Sequence, residues 1–260
     1  MNENAKSVIF PLLLLVALLV LWLVAVQRWG VPNYVLPPLQ NVLAALHHGY
    51  IEGAYWKDFG FTLTSMLVGY IGGCSLAFVV GILFAEFRWL ERVLYPFVLG
   101  LQSMPKVALA PLILIWFGFG LGSKAIMVGL VCFFPMFINT AVGLKATDPS
   151  LIDLMRAFSA SRWHILTRIK IPSAASHIFA GLQISVVLGL IGAVVAEFVS
   201  SSDGLGYLIN ASATTLDTST MFAALLSLAA LGIGGSQLVR LVQRRLVFWD
   251  QGSHTQSFTE

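Results

Sequence analysis

The feature that most constrains this chain is a series of long apolar windows without charged side chains. Asp, Glu, Lys and Arg are absent from Val8–Val26, Phe59–Ala85, Ala125–Leu144, Ile178–Ala196 and Thr218–Val239. A further window, Val93–Ser123, contains one charge, Lys106. A helix crosses a hydrocarbon core of about 30 Å with roughly 20 residues. The sequence therefore predicts an all-α polytopic membrane protein with six transmembrane helices.

Composition supports this prediction. Only 10% of the residues are charged and 58% are hydrophobic, whereas about a quarter of a soluble domain is charged. The net charge of +3 includes no basic run, so a nucleic-acid partner is not expected. The first apolar window is too long for a signal peptide, and no small-residue cleavage site precedes Gln27-Arg28-Trp29, so we expect it to be retained.

The distribution of basic residues predicts the orientation, because cytoplasmic loops carry an excess of Lys and Arg. With the N-terminus and C-terminus in the cytoplasm, eleven fall inside and three outside. Those inside are Lys6, Arg88, Arg92, Lys145, Arg156, Arg162, Arg168, Lys170, Arg240, Arg244 and Arg245. Those outside are Arg28, Lys57 and Lys124. A longer polar passage at 148–172 then faces the cytoplasm.

The chain divides into three predicted parts. Residues 1–58 hold the first span and an external connector, residues 59–249 the main transmembrane domain, and residues 250–260 a flexible cytoplasmic tail. Within the connector, we expect a short interfacial helix at Leu39–Tyr50. The cytoplasmic turn Glu86–Arg92 carries charges that we expect to anchor helix ends.

Two spans carry small residues at steps of four. They are Gly69, Gly73, Ala77 and Gly81 in one span, and Gly181, Ser185, Gly189 and Ala193 in the other. Such faces let helices approach closely, either within the chain or across a dimer. Glu197 continues the second series, so we expect it to point toward protein. Cys74 and Cys132 lie inside spans and are expected to be buried packing residues, with no disulfide implied.

The passage at 148–172 has the pattern of two short helices. Asp148 is a suitable N-cap and Pro149 a suitable first residue. An amphipathic helix is then predicted by the apolar spacing of Leu151, Leu154, Met155 and Phe158. The run 159–161 offers a break and a new cap, and we expect Pro172 to end the second helix.

This passage resembles a cytoplasmic loop of the inner-membrane subunits of binding-protein-dependent ABC importers, of the form E-A-A-x3-G-x9-I-x-L-P. The frame here is Asp153-Leu154-Met155, three residues, Ser159, nine residues, then Ile169-Lys170-Ile171-Pro172. The spacing agrees throughout. Asp replaces Glu, Leu-Met replaces Ala-Ala, Ser replaces Gly and Ile replaces Leu. Serine resists the positive φ that glycine adopts at such a turn.

A second passage resembles a subgroup of these importers. Residues 105–118, PKVALAPLILIWFG, are similar to the P-k-x-A-l-x-P-l-x-x-x-W-F-G segment of permeases in the nitrate/sulfonate/taurine group. Ala196-Glu197-Phe198 followed by Gly204-Leu205-Gly206-Tyr207 resembles the same subgroup. The two prolines of the first segment break the backbone ladder, so its freed carbonyls must find partners in protein or in a water-filled cavity.

The resemblance implies the type I ABC importer permease fold, working as a homodimer in a bacterial inner membrane. It implies two ATPase subunits in the cytoplasm, a solute-binding protein outside, and a small solute, either an anion or a vitamin precursor. The residues implied to contact the ATPase are Asp153, Leu154, Met155, Arg156, Ala157, Phe158, Ser159, Ala160, Ser161 and Arg162.

We expect no catalysis by this chain. It has no phosphate-binding glycine loop of the Walker type, so ATP and Mg²⁺ should be bound by the partner ATPase. Its histidines lack the convergent ligand spacing of a metal site, and no cofactor is expected. The alternatives are an ion-coupled secondary transporter, which typically has two matching broken helices, and a membrane enzyme, which needs a polar catalytic cluster. Only one strongly broken span is evident.

The candidates for a translocation pathway or gate are Met104, Pro105, Lys106 and Glu197. Lys106 either lines the pathway for anions or anchors a helix at the inner surface. Glu197 either shapes the outer end of the pathway or forms a local hydrogen bond with residues 200–202.

Overall fold

The computed structural model describes residues 3–28 and 30–250, and this part of the chain is helical. Its twelve α-helices are α1 (Glu3–Gln27), α2 (Leu39–Tyr50), α3 (Trp56–Glu86), α4 (Arg88–Ser103), α5 (Ala110–Phe117), α6 (Leu121–Lys145), α7 (Pro149–Ala157), α8 (Arg162–Ile165), α9 (Ile171–Ser173), α10 (Ala175–Val199), α11 (Leu205–Thr214) and α12 (Thr218–Leu246). The predicted interfacial helix is α2. The predicted flexible tail, beyond residue 250, lies outside the described residues.

Four helices are long and apolar enough to cross a membrane: α3, α6, α10 and α12. The pair α4–α5 forms a fifth candidate, bent by 85°. The sequence-based count of six also includes α1, whose apolar part, Leu12–Gln27, is shorter than the other spans. The described residues therefore contain four spans, or five with the bent pair, beside this shorter apolar helix.

The predicted break in the third apolar window is confirmed. Helix α4 ends at Ser103, and Met104 is extended, with φ −70° and ψ 138°, as expected for a residue before proline. A single 3₁₀ turn, Lys106–Leu109, then leads into α5. Pro111 lies in the first turn of α5, where its missing N–H costs little.

The core forms where α3 and α10 pack against α6, and small residues allow the close approach. A Cβ on Gly73 would lie 2.5 Å from the carbonyl oxygen of Gly129. On the other side, a Cβ on Gly189 would lie 2.8 Å from Sγ of Cys132. Both small-residue faces thus pack within the chain rather than requiring a second copy. Cys74 and Cys132 are buried in this core, as predicted.

The prediction that Pro172 ends a helix is wrong. Pro172 lies within α9, which follows a π-helical turn, Leu166–Lys170. The N–H of Ile171 donates to Leu166 O across this wider turn, and Pro172 then sits at the start of α9, where a proline N–H is not needed. Only Ala174 separates α9 from α10, so the polar passage leads directly into a transmembrane helix.

Candidate functional site

The first helix of the polar passage begins as its sequence predicts. The carboxylate of Asp148 accepts a hydrogen bond from the N–H of Ser150 at 2.9 Å, and Pro149 opens α7. Hydrogen bonds from the Ser150 hydroxyl and N–H lower the pKa of Asp148 below its ordinary value. The N-cap therefore stays ionised and complements the positive end of the α7 dipole.

The turn after α7 has the geometry of the glycine in the family pattern. Ser159 adopts a left-handed backbone with φ 57°. Its N–H donates to Arg156 O at 2.8 Å, and the N–H of Ala160 donates to Met155 O at 3.0 Å. Ser161 caps α8, accepting from the N–H of His164 at 3.2 Å. The predicted break and new cap are both confirmed, and serine takes the strained conformation.

Helix α7 and its turn present an apolar surface that the rest of the described chain does not cover. None of the α7 residues, all of which are described, is buried. Leu154 is 53% exposed and Phe158 is 76% exposed. Arg156 pairs with Asp153 at 3.1 Å on the same surface. Apolar patches of this kind mark sites of association with another protein or with a membrane.

The base of the passage is anchored to the transmembrane helices. Ile165 is buried, and Lys170 pairs with Glu86 at the end of α3. Lys145 at the end of α6 pairs with Glu91 of α4. A groove of about 840 Å³ separates the passage from the α3–α4 turn. These ion pairs link α3 to the polar passage and α4 to α6, as predicted for the charges of the Glu86–Arg92 turn.

Lys106 lies at the bend of the broken span and contacts protein. Its Nζ donates to Gln102 O at 3.0 Å and lies 4.5 Å from the ring centroid of Phe134 in α6. The side chain is half-buried, whereas the neighbouring Met104 and Pro105 are exposed. A cation over an aromatic ring is attracted by the ring quadrupole, which stabilises a charge close to this break.

Glu197 points toward protein, as predicted, and is 1% exposed. Thr62 of α3 donates its hydroxyl to both carboxylate oxygens, at 2.9 and 3.1 Å, and the N–H of Gly206 donates to Oε2 at 2.7 Å. The hydrogen bonds at this carboxylate therefore come from α3 and from the start of α11, and not from residues 200–202, which were one of the two alternatives. Both carboxyl oxygens of Glu197 accept hydrogen bonds.

Sequence reasoning missed Lys124. The sequence placed it only among the basic residues on the outer side, whereas the structure shows it fully buried in the first turn of α6. Its Nζ donates to the carbonyl oxygens of Phe119 and Ser200, each at 2.6 Å. Lys124 directly precedes the charge-free window that begins at Ala125, and a charge at the edge of a span resembles an ordinary boundary residue.

Comparisons with known proteins agree with this architecture. Residues 77–248 match the family described as the binding-protein-dependent transport system inner membrane component. The chain is similar to the riboflavin transport system permease protein RibX of Chloroflexus aurantiacus, with 36% identity over 236 residues, 91% of this chain and 88% of that protein. It is also similar to the formylaminopyrimidine transport permease protein ThiX of Halalkalibacterium halodurans, with 32% identity over 252 residues, 95% and 98% of the two chains.

More distant relatives extend the same pattern. The taurine transport system permease protein TauC of Escherichia coli is 28% identical over 241 residues, 91% of this chain and 87% of that protein. Among solved structures, the chain resembles one described as inward facing conformations of the MetNI methionine ABC transporter, with a TM-score of 0.58 and 18% identity over 71% of this chain and 94% of that one. At that identity the likeness shows the fold alone. The chain therefore belongs to the family of binding-protein-dependent transport system inner membrane components, the permease subunits of ABC importers.

Proposed function

We propose that this permease works as a homodimer and receives the energy of transport through residues 153–162, the coupling surface. Two ATPase subunits bind ATP and Mg²⁺ on the cytoplasmic side, where both termini of the permease lie, and a solute-binding protein docks on the opposite side. The positive-inside distribution of basic residues supports this orientation. Hydrolysis takes place in the partner, and this chain moves in response.

The observation that carries the proposal is the exposed apolar surface at Phe158. Leaving apolar area in water costs about 25 cal/mol per Å², so a partner that covers this ring gains binding free energy. Arg156 beside it can then fix the register by charge complementarity. Through α8 and the Glu86–Lys170 ion pair, a displacement of the coupling surface reaches α3 and α10 with few flexible joints.

We further propose that solute passes between two copies of the chain, alongside the broken span. Met104 and Pro105 are exposed at its break, and Lys106 supplies a stabilised positive charge there. The named relatives transport riboflavin, formylaminopyrimidine or taurine. A small organic anion or vitamin precursor is the substrate class that fits such a lining. Transport that is unchanged in Lys106→Gln would remove Lys106 from the pathway.

The test is a mild detergent purification of the tagged chain from its native host, with identification of the proteins that accompany it. A nucleotide-binding ATPase is expected in equal amount with the permease. Phe158→Ala and Arg156→Ala should each reduce its recovery about tenfold or more. Phe248→Ala is the matched control, since Phe248 is 70% exposed but lies outside the coupling surface.

Two results would overturn the proposal. One is purification of the permease alone together with solute uptake driven by an ion gradient, which would indicate a secondary transporter. The other is equal loss of the ATPase in Phe158→Ala and Phe248→Ala, which would place its contact elsewhere.

A further inference from the structure

The ends of five helices meet at the side of the molecule opposite to the coupling surface, and buried polar groups join them. Asp58 and Thr62 come from α3, Lys124 from α6 and Glu197 from α10. We refer to these four side chains as the outer clamp. Thr62, Lys124 and Glu197 are each no more than 1% exposed, which is unusual for lysine and glutamate.

Three side chains of the outer clamp bind the start of α11. Three successive backbone N–H groups there are bound, those of Gly204 by Asp58 at 2.7 Å, Leu205 by Thr62 at 2.8 Å and Gly206 by Glu197 at 2.7 Å. These are N–H groups that a helix start leaves without intrahelical partners. Carboxylates at this position also interact favourably with the helix dipole.

Lys124, the basic residue of the outer clamp, binds two carbonyl oxygens that have no intrahelical donor. Lys124 binds Ser200 O just after α10 and Phe119 O just after α5. The outer end of the broken span is therefore tied to α10, and through Glu197 to α11.

The contact leaves no room for a side chain on the α11 segment. A Cβ on Gly204 would lie 2.5 Å from Cδ of Glu197, and one on Gly206 would lie 2.8 Å from Oε2. Gly204 also has φ 117°, a conformation that L side chains rarely adopt. The backbone at the start of α11 therefore approaches the Glu197 carboxyl group too closely to admit a Cβ at Gly204 or Gly206. This contact would be lost if α11 moved away from α10.

We propose that Lys124 and Glu197 are positioning residues that make the outer ends of α5, α10 and α11 move as one body during transport. Separating these helix ends would leave a buried ammonium and a buried carboxyl group with fewer hydrogen-bond partners, which is unfavourable. The motion that opens and closes the outer side must then occur between such bodies, and not between the helix ends within one body. This inference rests on the proposed function, because it assigns the clamp a role in that cycle.

The experiment measures a distance within one chain by pulsed electron spin resonance. Spin labels are attached at Ile115→Cys in α5 and Thr214→Cys in α11, both on exposed residues, with Cys74→Ala and Cys132→Ser removing the native thiols. Labelled copies are diluted with unlabelled ones so that distances between copies do not contribute. The permease is measured alone and in complex with its ATPase, with and without trapped ATP.

The proposal predicts one narrow distance distribution that is the same in all of these states. Glu197→Gln, which keeps the shape of the side chain, and Lys124→Met should each broaden it or shift it by several ångströms. Lys57→Met is the control, since Lys57 forms an ion pair with Asp203 but its side chain is 80% exposed; it should leave the distribution unchanged.

A distance in the unsubstituted clamp that changes with trapped ATP would overturn the proposal, and so would a narrow, unshifted distribution in both clamp variants. The first of these results does not depend on how well any clamp variant folds. If no ATPase binds the permease, the proposed function fails, while the comparison of variants in the permease alone still tests the clamp.

Discussion

At the scale of single residues, Ser159 shows how the fold tolerates a change in the family pattern. A left-handed backbone costs an L-residue about 1–2 kcal/mol, yet Ser159 adopts φ 57°. The two hydrogen bonds of the turn and the cap at Ser161 hold it there. The sequence indicated a break at this position, but whether serine would keep the glycine geometry depended on these neighbouring bonds.

Two substitutions at Ser159 should therefore have different effects on the affinity of the coupling surface for the ATPase. Ser159→Gly removes the strain and is expected to bind the ATPase at least as tightly as the unsubstituted chain. Ser159→Val, β-branched and more strongly disfavoured at positive φ, should raise the Kd about tenfold, which corresponds to about 1.4 kcal/mol. The measurement is the Kd of the purified permease for its ATPase, and equal Kd values for the two variants would contradict this account of the turn.

At the scale of elements, the sequence predicted close helix packing but not the partner. The four-residue steps along α3 and α10 indicated small-residue faces that could meet within the chain or between copies. The structure places α6 between them. The choice depended on tertiary contacts that no local pattern contains, such as the approach of Gly73 to Gly129.

Two adjacent glycines of α3 provide a matched test of this packing. Gly73→Ala would place a Cβ 2.5 Å from the Gly129 carbonyl oxygen, whereas a Cβ on Gly72 would meet no atom within 4 Å. Gly73→Ala should lower the free energy of unfolding by about 1–3 kcal/mol, as overpacking does, and Gly72→Ala should not lower it. Unfolding by sodium dodecyl sulfate in mixed micelles checks both, and equal stability of the two variants would show that α3 does not pack this way.

The ion pair between Glu86 and Lys170 tests the connection between the coupling surface and α3. Both side chains are largely buried, with 22% and 17% exposure, so a single charge reversal leaves two like charges facing each other. Glu86→Lys should lower ATP-driven transport at least several-fold, and adding Lys170→Glu should restore much of it, because coupled residues are non-additive in a double-mutant cycle. Independent, additive losses would mean that the pair does not transmit the movement.

At the scale of the whole molecule, apolar windows and motif spacing predicted an all-helical membrane protein of this family. They could not reveal features created by packing between distant segments. Lys124 and Glu197 are 73 positions apart in the numbering, and Lys124 is buried only because α5 and α10 end beside it. The prediction for Pro172 was wrong because the π turn before it places the proline in the first turn of α9, where its missing N–H is not needed.

The proposed mechanism depends on the binding of an ATPase to residues 153–162. Its most direct test is to replace Phe158 with a photo-crosslinking amino acid in living cells, with the same replacement at Phe248 as control, and to identify each adduct by mass spectrometry. We expect a nucleotide-binding ATPase attached at position 158 and none at position 248. Adducts at position 158 with lipid alone would contradict it, because the apolar surface of α7 would then lie on the membrane rather than against a partner.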